Sequence, residues 1–110
     1  MKQRDIYLVN LNPIKGSEQA GVRPVVIVSG NTMNEKLEIC IVCPISSKEK
    51  KYASCVPIKK SKSNGLSSNS EIISFQVRTV SKERFGKKLG KITEEQLEQV
   101  FSGLSDVLRY

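Results

Sequence analysis

The chain has no histidine. That absence excludes Ser-His-Asp and Cys-His triads, imidazole acid/base pairs and zinc sites built on histidine. There are three cysteines, an odd number, and "MKQRDIYLVN" at the start holds no hydrophobic signal segment. Together they predict free thiols in a reducing, cytoplasmic setting. No apolar run approaches the ~18 residues that would span a bilayer, so no membrane association is expected. No glycine-rich phosphate loop of the nucleotide or dinucleotide type occurs, and no cofactor is expected.

The spacing "CIVC" at Cys40 to Cys43 has the outward form of a metal knuckle. It lies inside an apolar run, where a strand sends positions three apart to opposite faces, and Cys55 supplies only a third thiol. Core cysteines and no metal site are the reading.

What the chain does have is positive charge. Its 110 residues, sized for a single domain spanning 1–110, carry 18 Lys+Arg against 11 Asp+Glu, a net +7. Residues 48 to 91 hold twelve of those bases and only three acids, Glu49, Glu71 and Glu83, for a local +9. A field concentrated in the central section reads either as a solubilising surface or as the footprint of a polyanionic partner.

Organisation follows from periodicity. "DIYLVNL", "RPVVIVS", "LEICIVCPI", "SCVPIK" and "SEIISFQVRTV" are short β-branched runs, and "KKLGKI" is a final short strand. The serine-rich "KKSKSNGLSSNS", with its Asn-Gly pair, is a loop. Then the period changes to helical. Thr93 and Gln96 form a capping box, Glu94 and Glu95 sit on the positive helix end, and Leu97, Val100, Phe101, Leu104 and Leu108 share a face. Strands closed by one amphipathic helix predict an α+β, mainly β fold: a small, strongly bent barrel with the C-terminal helix packed on it.

Reactive equipment is then limited to arginine, serine, glutamate and backbone. Arg23 precedes Pro24, which holds it extended where a polar loop meets a strand. On local sequence it reads equally as a site arginine, a surface arginine or half of a salt bridge. Ser46 and Ser47 end a strand after Pro44 and by themselves simply start a turn. Gln76 and Arg78 are expected on one face of their strand, with Phe75, Val77 and Thr79 on the other.

Taken in order, "GSEQAGVRPVVIVS", "PISS", "QVRTVSKERFGKKLGKI" and "EEQLEQVFSGLSDVLR" closely resemble the MazF/PemK family of toxins from bacterial toxin-antitoxin systems. The resemblance runs from about Arg4 to Leu108. It implies an SH3-like or CcdB-like barrel and a sequence-specific, metal-independent endoribonuclease acting on single-stranded RNA. It also implies a homodimer, a cognate antitoxin protein, and DNA contact only through the antitoxin complex. In the family pattern Arg23 stabilises the phosphate under attack, and the hydroxyl of the P-I-T-S motif falls on Ser46, with Ser47 beside it. The GSEQ loop supplies Ser17 and Glu18, the latter as a candidate base. Ser17, Ser47, Lys48, Gln76 and Arg78 are the expected RNA contacts.

Two departures bear on mechanism. Some members carry a histidine where Ser17 stands and an acid where this chain has Phe75, so any scheme built on that pair fails here. Serine for threonine at Ser46 keeps the hydroxyl. The other class of function is a non-enzymatic binder, either a plain RNA-binding barrel or a gyrase poison of the related CcdB-like type. A pure binder has no need of Arg23 and Ser46 together.

Overall fold

Runs such as "VVIV" and "CIVC" are uninterrupted because both faces of their strands are covered. In the computed structural model, which describes residues 1–11, 21–48 and 50–110, seven strands and two α-helices follow one another. They are β1 (Asp5–Asn10), β2 (Val22–Ile27), α1 (Asn31–Lys36), β3 (Ile39–Ser46), β4 (Val56–Ile58), β5 (Ser70–Ile72), β6 (Arg78–Ser81), β7 (Phe85–Lys91) and α2 (Glu94–Arg109).

The pleat sorts neighbours onto two sides. Val26, Val28, Cys43 and Ile45 join Ile6, Leu97 and Val100 in one buried cluster. Val25, Ile27, Cys40 and Val42 join Val9 and Val80 in the other. Cys40 and Cys43 therefore face opposite ways, as strand geometry requires. All three cysteines are free and buried.

Burial pushes the Cys43 thiol up to about 12, and the neighbouring Cys55 adds to the shift. Cys40 and Cys55 are raised as well, in both cases chiefly by burial. A thiol whose folded value lies above its unfolded value of 9.0 contributes stability that is full below pH 9. For Cys43 that contribution is lost as pH rises toward about 12. At pH 8 a thiol reagent is accordingly expected to label none of the three within minutes in the native protein and all three after denaturation, read by absorbance. Rapid native labelling would contradict the burial.

All pairings are antiparallel, in the order β4-β5-β3-β2-β1-β7, with β6 added to the N-terminal half of β3. Among the described residues the ladder stays open, since β7 pairs only with β1 and β4 only with β5. Yet the loop between β4 and β5 reaches β7, at the far end of the strand order. Lys91 donates its N–H to the Ser63 carbonyl at 3.0 Å. Gly65, at φ 68°, lies so close that a Cβ there would sit 2.1 Å from the Leu89 carbonyl oxygen. The two ends can meet only because the sheet curls strongly, so a loop spans the gap that strand hydrogen bonds leave.

Helix α2 begins as its sequence predicts. Thr93 Oγ1 accepts from the Gln96 N–H at 3.0 Å, and Gln96 Oε1 accepts from the Thr93 N–H at 2.9 Å. Leu97 and Val100 are buried and Phe101 and Leu104 pack against the same cluster, whereas Leu108 is 78% exposed. The apolar face ends one turn before the helix does.

Two features differ from the sequence expectation. "SEIISFQVRTV" is not one strand: a 3-10 turn at Ser74–Gln76 separates β5 from β6. Its cause is tertiary. The Ser74 hydroxyl is buried and donates to the Ser54 carbonyl at 2.6 Å, which turns the chain out of the ladder. Gln76 and Arg78 consequently do not alternate on one strand face; Phe75, Gln76, Arg78 and Thr79 are all exposed. The second is α1, six residues with no side-chain cap at Gly30. It is held by Asn34, whose Nδ2 donates to the Ser29 carbonyl at 2.8 Å, while Ser29 Oγ accepts from the Ile41 N–H at 3.0 Å. Among the described residues no helix is long and apolar enough to cross a membrane.

Candidate active site

Strand β2 begins at Val22, and Arg23 is its second residue. On one side it pairs with Val9 of β1. On the other, β2 and β3 run in the register Val25↔Pro44 and Val26↔Cys43. Carried two positions further, that register sets Arg23 opposite Ser46, the last residue of β3. Sheet pairing therefore joins an arginine and a hydroxyl that stand 23 positions apart in sequence.

Two adjoining hollows meet at this pair. One, of about 340 Å³, is lined by Arg23, Pro24, Ile45, Ser46, Ser47 and Lys48 from the ends of β2 and β3 and the residues after it, by Leu66, Ser67 and Ser68 from the β4–β5 loop, and by Ser70 of β5. The other, of about 440 Å³, is lined by Arg23, Ile45, Ser46, Leu11, Pro44, Lys50, Ile73, Gln76 and Arg78. Arg23, Ile45 and Ser46 belong to both, and Arg23 and Ser46 are the polar residues among them. Each space is the size of a small-molecule pocket.

The Arg23 side chain is exposed, with Nη1 donating to the Val22 carbonyl at 3.2 Å. Among the described residues that bond leaves most of the guanidinium's five N–H groups for a ligand. Ser46 Oγ accepts from the Lys48 N–H at 3.1 Å, a turn that fixes the hydroxyl beside the arginine. Arg78 is aligned by its pairing with Val42. Lys48, Lys50 and Arg78 surround the pair with positive charge, and among the described residues the lining of the two hollows includes no carboxylate.

Of the residues singled out from sequence, the structure brings together Arg23, Ser46, Ser47, Lys48, Gln76 and Arg78. Ser17 and Glu18 lie outside the described residues. Lys50 had not been singled out, although the lysine run in "SSKEKK" signals it. Ser67 and Ser68 carry no signal beyond that of a loop. Glu71 is different in kind: it is the register partner of Ser46 but only 3% exposed, and its carboxylate accepts from the N–H groups of Lys50 and Lys51. It shapes the rim from beneath. Among the described residues no three His, Cys, Asp or Glu side chains converge.

An array of one fixed arginine, a hydroxyl and flanking cations around an open double hollow suits a phosphodiester. A guanidinium can hold two phosphate oxygens at once and stays charged at every working pH.

The pattern describing the PemK-like, MazF-like toxin of type II toxin-antitoxin systems matches residues 2–108. The chain is 37% identical over 102 residues to Endoribonuclease MazF of Staphylococcus saprophyticus subsp. saprophyticus, covering 91% of this chain and 84% of that protein. Its fold is similar to that of Mycobacterium tuberculosis toxin MazF-mt6, with a TM-score of 0.80, 21% identity and 96% of each chain covered. An endoribonuclease in complex with its cognate antitoxin from a mycobacterial species is similar at a TM-score of 0.82 and 18% identity, covering 98% of this chain and 94% of that one.

Proposed function

This chain belongs to the PemK-like, MazF-like family of toxins of type II toxin-antitoxin systems, and on that premise we propose that its double hollow cleaves single-stranded RNA with Arg23 and Ser46 at the reacting phosphate. The observation that carries the reading is their shared position in both hollows. An RNA strand crossing from one hollow to the other passes the pair.

The chemistry uses the substrate's own nucleophile. The 2′-oxygen attacks the adjacent phosphorus and the P–O5′ bond breaks, leaving a 2′,3′-cyclic phosphate and a 5′-hydroxyl. The 2′-hydroxyl proton goes to a base, for which Glu18 is the loop's only acid, and the departing 5′-oxygen takes a proton from water. Charge builds on the non-bridging oxygens as the phosphorane forms. Arg23 holds two of them in one plane, and the Ser46 hydroxyl donates to the phosphate or orients the 2′-oxygen. Lys48, Lys50 and Arg78 bind the flanking backbone. Duplex is disfavoured because its stacked, paired strands cannot splay into two hollows.

A cognate antitoxin and a second copy of the chain complete the assembly. The +9 section between residues 48 and 91 matches an acidic, disordered peptide by charge, and the complex of the mycobacterial relative with its antitoxin supports such a partner. Any DNA contact would come through the antitoxin. Three buried free thiols suit a reducing cytoplasm, where the RNA substrate is.

The experiment is cleavage mapping on a long RNA in EDTA, with an all-deoxy strand and a duplex of the same sequence alongside. Defined cuts in single-stranded RNA alone are expected. Equal cleavage of the deoxy strand would refute 2′-oxygen attack, and loss of cutting in EDTA would refute metal independence. Sedimentation of the same preparation at micromolar concentration should show a dimer of the 12.3 kDa chain; a monomer would refute the assembly.

A further inference from the structure

Aromatic side chains are scarce here, three tyrosines and three phenylalanines, and two of them stand exposed in contact with each other. Tyr52 and Phe75 are 59% and 40% exposed, with ring centroids 5.6 Å apart and planes at 71°. An edge-to-face pair leaves one ring face open to solvent with the second ring standing beside it as a wall. Both rings are chain neighbours of residues that line the larger hollow. Gln76, which follows Phe75, and Lys50, two residues before Tyr52, both line that hollow, so the chain allows at most about 7 Å between the Cα atoms of Lys50 and Tyr52.

The two rings come from segments that the fold fastens together. Ser74, next to Phe75, donates its hydroxyl to the carbonyl of Ser54, two residues past Tyr52. The Tyr52 carbonyl accepts from the Cys55 N–H at 3.0 Å. On the other side, the buried Glu71 carboxylate holds the N–H groups of Lys50 and Lys51, and Lys51 is fixed at φ 58°, a left-handed conformation costly for lysine. Exposed rings on a hydrogen-bonded mount near a cationic hollow are poorly explained by packing alone, because about half of their surface stays in water.

We infer that Tyr52 and Phe75 form a stacking subsite for one unpaired nucleobase next to the phosphate held by Arg23 and Ser46. The inference rests on the RNA-cleaving reading above and adds a binding element to it. Phosphate contacts carry no base information, whereas a ring step at a fixed place near the hollow sets where one splayed base must sit. Every base has a π face, so the step locks register while tolerating sequence.

The test uses an RNA oligonucleotide spanning a mapped cut, made non-cleavable by 2′-methoxy at the cut, and abasic versions with one base removed at a time. Tyr52→Ala and Phe75→Ala are expected to weaken binding about tenfold each, while Tyr52→Phe keeps the parent affinity. At one position near the cut, removing the base should weaken parent binding to a similar degree, and there the alanine variants should lose nothing further. Circular dichroism and thermal melting establish that each variant folds, and Phe75→Leu, which keeps apolar bulk without a π face, should behave like Phe75→Ala. If the parent cuts RNA but the variants bind as it does, or if their losses add to those of every abasic position, the subsite is overturned and the enzyme reading stands. Variants that keep RNA affinity and lose only an acidic antitoxin peptide would also overturn it, as a protein-docking patch. A parent that fails to cut RNA overturns both.

Discussion

Arg23→Ala is expected to lower single-turnover cleavage of one labelled oligonucleotide by a hundredfold or more while reducing RNA affinity only modestly. In binding, Arg23 is one phosphate contact among several, with Lys48, Lys50 and Arg78 lining the same hollows. In the proposed transition state Arg23 is the group that meets the developing charge, and a missing donor of this kind costs on the order of 3 kcal/mol. Arg23→Lys should recover little, because an ammonium cannot grip two oxygens in a fixed plane. Ser46→Ala should cost less than Arg23→Ala, and Ser46→Thr should be tolerated, since it keeps the hydroxyl at the end of β3. The exposed position of Arg23 makes unfolding an unneeded explanation, and circular dichroism checks that. An Arg23→Ala protein that binds and cuts like the parent would reduce Arg23 to a surface residue and end the mechanism.

Gly103→Ala tests the mount beneath the site. In an open helix this change stabilises by up to about 1 kcal/mol, since alanine is the better helix former. Here a Cβ would fall 2.3 Å from the Ser54 carbonyl oxygen and 3.3 Å from Ser74 Oγ. Backbone cannot move aside cheaply, so α2 must lift away from the very bond that joins the segments of Tyr52 and Phe75. Overpacking of this type costs about 2 kcal/mol, which for a domain of this size lowers Tm by roughly 10 °C. Thermal melting decides the sign. A variant with an unchanged or higher Tm would mean that α2 does not approach Ser54 so closely.

The locally encoded parts of the molecule could be read without coordinates. The capping box at Thr93 and Gln96 is a bond between residues three apart, and the apolar face of α2 repeats within a single element. The opposed directions of Cys40 and Cys43 follow from the pleat of one strand. The arginine and serine of the proposed site stood out only through the family resemblance, since on local sequence Arg23 reads equally as a surface arginine and Ser46 as the start of a turn.

Other features depend on residues far apart in sequence, and only the tertiary structure decided them. The 3-10 turn at Ser74–Gln76 interrupts a run with every mark of a strand, because the Ser74 hydroxyl finds the Ser54 carbonyl and Gly103 lets α2 close over both. Helix α1 is too short to show a period, and it is held by Asn34 bonding to Ser29, which in turn bonds across to Ile41 of β3. That Arg23 and Ser46 share both hollows is a consequence of β2–β3 register, and that Tyr52 meets Phe75 is a consequence of that same turn. Periodicity and capping act within a few residues and are written in the chain. Register and close approach are set by which distant surfaces pack, and only the folded sheet supplies those surfaces.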